Sequence, residues 1–479
     1  MLIRVLTDEQ IQRIHETSLA ILERAGVLIP HEGMLSRFAD MGATVDRQKH
    51  IVKIPPDLVM NLVKKAGKSF TLYGRDLTRK CEFGYGKRNH CSIGGEASWL
   101  DDLCQPRRWS TLADVATGAR FSDALQHINL VGAMADPHEI DVRYRPVQVM
   151  AQTLKNTTKP IIFWFFSSGA TKYLVEMMIA LRGSIEAATK YPVTCLLFEP
   201  ISPLRYHTDE IDLLFEAARL NLPVQVGPMA QMGISAPATI AATVALENAE
   251  CLAGICVTQL VRPGLPVCYS GVCHAFDMKT TQLIFSGPEQ ALFGVAVTQM
   301  GKFYGFPVEV NTGFTDSKRI DGQAGLEAGI TLMVSAAAGA DHFGHMGISG
   351  VDQAASLDSL LFQHEVISFV ESTMREIEVS DETLALDEII EVGPGGRFID
   401  REHTIRHFKK ELWFPTLLDR RYYQQWLDSG AIGTEQRVRE LRDKILRTHV
   451  PEPMSPELER ALDEVVAAAR RDLAPEVAA

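Results

Sequence analysis

Pro223-Val224-Gln225-Val226-Gly227, Pro266-Val267-Cys268-Tyr269-Ser270 and Pro307-Val308-Glu309-Val310-Asn311 are three versions of one phrase. Each opens on proline, runs through β-branched residues and closes on small or polar ones. A long amphipathic segment, mostly rich in alanine, follows each. Asp341-His342-Phe343-Gly344-His345 closes the series. Strand, loop and helix repeated at this scale form the βα unit of a parallel sheet. Towards the N-terminus, further copies start at Cys91, Ile128, Pro160 and Pro192, with start-to-start steps of 31 to 43 residues along the whole series. Eight strands and eight helices predict an α/β chain closed as a (β/α)8 TIM barrel, because eight is the number at which such a sheet closes. The alternative is an open doubly wound sheet. Its Gly-x-Gly-x-x-Gly turn after a first strand is missing.

A chain of 479 residues exceeds an ordinary barrel, so appendages are expected. Residues 1–88 read as an N-terminal α+β cap, 89–375 as the barrel and 376–479 as a C-terminal helical extension. In the cap, Thr7 and Gln10 spell a capping box, and Phe70–Tyr73 with Cys81–Gly84 spell a hairpin. In the extension, Trp413, Phe414, Tyr422, Tyr423 and Trp426 are expected to pack on the outer helices, with a subunit contact as the alternative. A homo-oligomer is expected, of unspecified size. A polar tail is expected from Pro451. The net charge of -12, with no basic run or arm, argues against a nucleic-acid partner. No apolar run is read as long enough to span a bilayer, and the N-terminus reads as a helix entry rather than a signal peptide. The eight cysteines make no Cys-x-x-Cys pair and most sit in apolar surroundings, as reduced cytoplasmic thiols do.

A barrel carries its working residues at the C-terminal ends of its strands. Those ends supply Glu96, Trp99, Asp136, His138, Trp164, Phe165, Phe166, Glu199, Met229, Gln231, Tyr269, Ser270, Asn311, Phe314, Asp316, Lys318 and His345. No metal is expected: His342 and His345 are three apart on a strand and so should face opposite ways. No serine or cysteine nucleophile with a neighbouring histidine forms a known motif. What remains is aromatics and scattered carboxylates. Trp164 and Phe166 share a face of an unusually bulky strand and can join Tyr269 and Phe314 as walls of a cage. Aromatic faces attract a quaternary ammonium, which no hydrogen bond can grip. Bulky core filling is the competing reading.

Other stretches resemble the trimethylamine methyltransferase superfamily. They include Ile21-Leu22-Glu23-Arg24-Ala25-Gly26-Val27, Tyr73-Gly74-Arg75-Asp76 and Phe314-Thr315-Asp316-Ser317-Lys318. Asp321-Gly322-Gln323-Ala324-Gly325, Gly339-Ala340-Asp341-His342 and Trp413-Phe414-Pro415 belong to the same set. The resemblance implies a barrel that moves a methyl group from a methylamine to a cobalamin (corrinoid) carried by a small partner protein. Founding members use pyrrolysine; this chain contains standard residues alone. The resemblance therefore points to the branch that demethylates quaternary amines. Such an amine has no proton to lose and leaves as a neutral tertiary amine. Glycine betaine is the first candidate, with dimethylglycine as product; proline betaine, carnitine and related betaines are alternatives. On this reading Trp164, Phe166, Tyr269 and Phe314 hold the ammonium, Glu199 adds charge, and Asn311, Arg319 and His345 bind the carboxylate. The chemistry is positioning and desolvation, with no general base. Two rival classes are a betaine-binding protein without turnover and a lyase using Lys318 as a Schiff base.

Overall fold

The computed structural model describes residues 3–165 and 168–475. Each of the eight predicted stretches contains a strand: β1 Asn89–Ser92, β2 Val131–Gly132, β3 Ile161–Ile162, β4 Leu196–Phe198, β5 Val224–Val226, β6 Val267–Gly271, β7 Val308–Val310 and β8 His342–Met346. Helices follow them in turn: α1 Leu112–Ala124, α2 Arg145–Lys155, α3 Ser168–Arg182, α4 Thr208–Ala217, α5 Ile240–Val261, α6 Pro288–Phe303, α7 Gly322–Ala338 and α8 Leu357–Thr373. Six strands form one curled parallel sheet in the order β4-β5-β6-β7-β8-β1, and β2 pairs with β3 in parallel. The result is a mixed α/β fold built on a curled parallel sheet.

The N-terminal elements cover the helical layer and the sheet's lower end. Thr7 caps the helix Asp8–Arg24 through the predicted box with Gln10. That helix and Pro56–Lys65 lie on α5, where Ser18 donates to the Ala245 carbonyl at 2.8 Å. By length and composition α5 is apolar enough to cross a membrane, contrary to the expectation of no such run, yet most of it is buried inside the protein. The predicted hairpin, Phe70–Tyr73 with Lys80–Phe83, is present. It packs under the strand beginnings, where Leu72, Cys81 and Phe83 share an apolar cluster with Cys91, Leu130, Ile162, Cys195 and Cys268. The hairpin thus seals the end opposite the strand tips.

The C-terminal part departs from expectation in two places. The stretch read as a polar tail contains an 18-residue helix, Pro456–Leu473. Its Leu462 and Ala469 are fully buried, and Asp463 and Asp472 reach Lys155 of α2 and Tyr173 of α3 at 2.6 Å. Leu458, Leu462, Val465, Val466, Ala469 and Leu473 lie on one stripe, a helical period hidden among charges. Second, of the five aromatics expected on the outer helices, Trp413 packs against Phe369 of α8 and Trp426 is half-buried, whereas Phe414, Tyr422 and Tyr423 are exposed.

Candidate functional site

Side chains at the strand tips surround a cavity of about 250 Å3 lined by Ile93, Glu96, Trp164, Glu199, Met229, Val272, Phe285, Asn311, His345, Ile348 and Asp352. Four of the predicted site residues meet there: Trp164, Glu199, Asn311 and His345. Trp164 lies across the turn after β1, its Nε1 donating to the Gly95 carbonyl at 2.9 Å. A Cβ at Gly94 or Gly95 would sit 3.3 Å from the indole, so the two glycines let the ring settle on the backbone. His345 stacks on it at a centroid distance of 5.7 Å and 9° between planes.

His345 owes its position to a bulge. The pairing of β8 with β1 slips between Phe343 and Met346, and His345 sits at φ 71°, a left-handed conformation that costs a non-glycine residue roughly 1–3 kcal/mol. Gly344 is required beside it, because a Cβ there would lie 2.3 Å from Glu309 Oε1. The bulge corrects the expectation that His342 and His345 face opposite ways: their rings lie 3.8 and 3.6 Å from the same Glu309 oxygen. Among the described residues no group of three His, Cys, Asp or Glu is arranged to hold a metal.

Glu309, on β7, is the buried polar centre beneath the cavity, and the reading of strand tips passed over it. Gln225 and Ser270 both donate to its Oε2. Desolvation, with the charge of Glu199 nearby, pushes it up to about 8. Burial holds His345 down to about 4. At neutral pH this floor is therefore uncharged, and His345 acts as a neutral donor–acceptor. Asn311 Oδ1 is buried without a hydrogen bond, and the residue's backbone carbonyl accepts from Gln290 Nε2 at 2.7 Å.

The walls are acidic. Desolvation pushes Glu199 up to about 8, with Glu210 and Asp352 adding to the shift. Glu96 rises to about 8 for the same first reason, helped by Asp352, to which it is hydrogen-bonded. Glu199 and Asp352 are exposed and Glu96 is half-buried, so the first two mark the open side of the cavity. Among the described residues lining it, none is lysine or arginine. Phe285 supplies a further aromatic wall, held by a stack of three rings with His274 (4.6 Å) and Phe314 (5.1 Å). Asp316 fixes that wall by accepting from the backbone N–H groups of Phe285 and Ser286, both at 3.1 Å.

Three predicted residues fall elsewhere. Tyr269 points outwards, its hydroxyl donating to Asn248 of α5 at 3.0 Å. Strand alternation turns Cys268 and Ser270 inward and sends Tyr269 to the helical layer. Phe314 stands one layer behind the cavity, against Phe285. Arg319 is an exposed surface residue paired with Glu435 at 2.9 Å. Phe166 lies outside the described residues. Asp352 and Phe285 escaped notice because they stand on loops away from the strand tips, where no period marks them.

Residues 1–474 match the model of the family described as trimethylamine methyltransferase (MTTB). A glycine betaine methyltransferase of Desulfitobacterium hafniense (strain Y51) is 31% identical over 474 residues, covering 98% of each chain. A trimethylamine methyltransferase MttB of Desulfitobacterium hafniense (strain DSM 10664 / DCB-2) is 29% identical, covering 96% of this chain and 92% of its own. The MttB of Methanosarcina thermophila is also 29% identical, covering 95% of each. Among solved structures, the hydroxylamine complex of MtmB superposes with a TM-score of 0.53 at 11% identity, covering 96% of this chain and 88% of that one; it supports the fold alone.

Proposed function

The chain belongs to the trimethylamine methyltransferase family, and on that premise we propose that it demethylates a quaternary amine, glycine betaine first among candidates. The observation that carries this reading is the cavity's lining: the carboxyl groups of Glu96, Glu199 and Asp352 beside two aromatic walls, with no cationic side chain among the described lining residues. Such a site fits a permanent cation. Trp164 offers its face to the ammonium, an attraction of roughly 2 kcal/mol once water is excluded. Glu199 supplies the opposing charge, and cation binding draws its proton off. Asn311 and His345 offer hydrogen bonds to the carboxylate end, which a zwitterionic substrate needs.

The methyl acceptor is the reduced cobalt of a corrinoid carried by a separate protein, a second substrate that supplies the nucleophile. The open side of the cavity, at Glu199 and Asp352, is where an acceptor can approach. The C–N bond breaks with its electron pair staying on nitrogen, so a neutral tertiary amine leaves and no proton moves. The chain's own contribution is holding the ammonium, turning one methyl outwards and excluding water. A tertiary amine, unlike a quaternary one, stays in exchange with its free base, and the free base is a poor methyl donor.

The closed (β/α)8 barrel belongs to the same proposal. It is supported by the parallel bridge between Cys91 and Leu130 and by the Ile161 N–H donating to the Val193 carbonyl at 3.0 Å. A reducing, cytoplasmic setting is supported by the eight cysteines, all free thiols. The test of the function is product analysis. With a reduced corrinoid acceptor and glycine betaine, the enzyme should release dimethylglycine in a one-to-one ratio with methylated acceptor. Binding of betaine without any dimethylglycine would leave a binding protein instead.

A further inference from the structure

None of the residues between Val370 and Leu417 is buried. The chain leaves the body at the end of α8 and returns at Trp413, whose Nε1 donates to Ser368 at 2.9 Å. Glu365 accepts the backbone N–H groups of Thr416, Leu417 and Leu418 at 2.9 to 3.2 Å. Arg375 clasps the base by donating to the carbonyls of Lys410 and Glu411. In between stand three short helices, Asp381–Leu384, Leu386–Val392 and Glu402–Glu411. Polar contacts tie them together, such as Arg401 with Glu391 (2.7 Å) and His407 with Glu382 (3.1 Å).

This arm has apolar residues but no core of its own. Ile377, Ile390, Ile399 and Ile405 are 63 to 86% exposed. Helices shorter than about 12–15 residues do not hold in water without tertiary packing. The arm therefore needs cover. The body offers a surface with the same need. Its own appendages lie over α5 (Asp8–Arg24 and Pro56–Lys65), over α2 and α3 (Pro456–Leu473) and over α8 (Thr434–Thr448). Helix α7 is flanked by α6 and α8; Ile3 donates to Ala337 near its end, and the middle of its outer face is uncovered, with Leu326 and Ile330 61 and 51% exposed. Apolar grooves of about 430 and 560 Å3 run along its two sides, and Ile330 and Val334 line both.

We propose that the arm 376–412 of one copy docks along α7 of a second copy of this chain. Summed over its faces, the arm's exposed apolar side chains amount to roughly 1,000 Å2, the order of the ~800 Å2 per partner of a stable interface. Arm and grooves are complementary in chemistry, and both lie on the flank. A corrinoid carrier has to reach the cavity at the strand tips, so the flank does not suit it. The interface is otherwise independent of the proposed activity.

Sedimentation of the full chain at micromolar concentration should give at least twice the monomer mass of 53.0 kDa. Ile390→Asp with Ile399→Asp (arm) and Leu326→Asp with Ile330→Asp (groove) should each give monomers, with unchanged circular dichroism. Mixing the two variants should restore a heterodimer, because one keeps its arm and the other its groove. Should a variant misfold, replacing 377–411 by a Gly-Ser linker tests the arm, and serine at 326 and 330 tests the groove. A monomeric parent, an oligomer indifferent to either pair, or mixed variants that stay monomeric would each overturn the proposal.

Discussion

Replacing Glu199 by glutamine keeps the shape of the cavity wall and removes one negative charge. Glu199 faces the cavity and still meets solvent, so its attraction for a bound ammonium lies between the water and protein-interior limits. At about 5 Å and an effective dielectric constant of about 40, two unit charges attract by roughly 1.7 kcal/mol, about 15- to 20-fold in affinity. The effect depends on pH. In the empty protein Glu199 is pushed up to about 8, so below that pH a cation has to bind against its proton. Quaternary-amine affinity of the parent should therefore rise with pH from 6.5 towards 8.5 and then level off. The variant should bind weakly throughout, and any slope left in it reports Glu96 and Asp352. Raising salt should narrow the gap between the two proteins. Isothermal titration with glycine betaine at four pH values reads all of this. A variant binding within twofold of the parent at pH 8.5 would refute the assignment of Glu199 as the charge that holds the cation.

Trp164→Ala should raise the half-saturating betaine concentration about thirtyfold, the scale of a desolvated cation–π contact of roughly 2 kcal/mol. Unchanged affinity with a large drop in Tm would make the indole a cover for the Gly94–Gly95 turn. His345→Ala should weaken betaine by roughly 1.5–3 kcal/mol and leave tetramethylammonium nearly unaffected, since a carboxylate is what the ring reads. Equal losses for both ligands would make it a shaping residue. Glu371, bound by Arg88 at 2.6 and 2.7 Å and by His90 at 3.2 Å, is held down to about 2. Its folded pKa is depressed, so its stabilisation is whole above the ordinary carboxylate range and fades as pH falls towards 2. Tm measured from pH 6 to pH 2.5 should fall less steeply in Glu371→Gln than in the parent; identical slopes would contradict the pairing.

The eight strands were legible because the signal is local: a short apolar run, opened by proline in five of the eight, and a following helix, repeated at domain scale. The capping box at Thr7 and the hairpin before Phe83 were legible for the same reason. The site was less so, because its membership depends on which way a side chain turns. Alternation turned Tyr269 outwards, and one added residue at the bulge brought His345 round to Glu309. Asp352 comes from a loop beyond β8, and Arg319 is claimed by Glu435 from 116 residues further on. Neither fact leaves a trace in local sequence. The helix Pro456–Leu473 was hidden differently: its stripe is plain, but charges on the other faces made the segment look like a solvated tail.

The central claim is that a chain without pyrrolysine needs a substrate whose nitrogen already carries a permanent positive charge. The most direct measurement mixes the protein with cob(I)alamin and follows the absorbance change to methylcobalamin, with glycine betaine in one cuvette and trimethylamine in the other. Methylation is expected with betaine and none above background with trimethylamine. Equal rates with both amines would contradict the account.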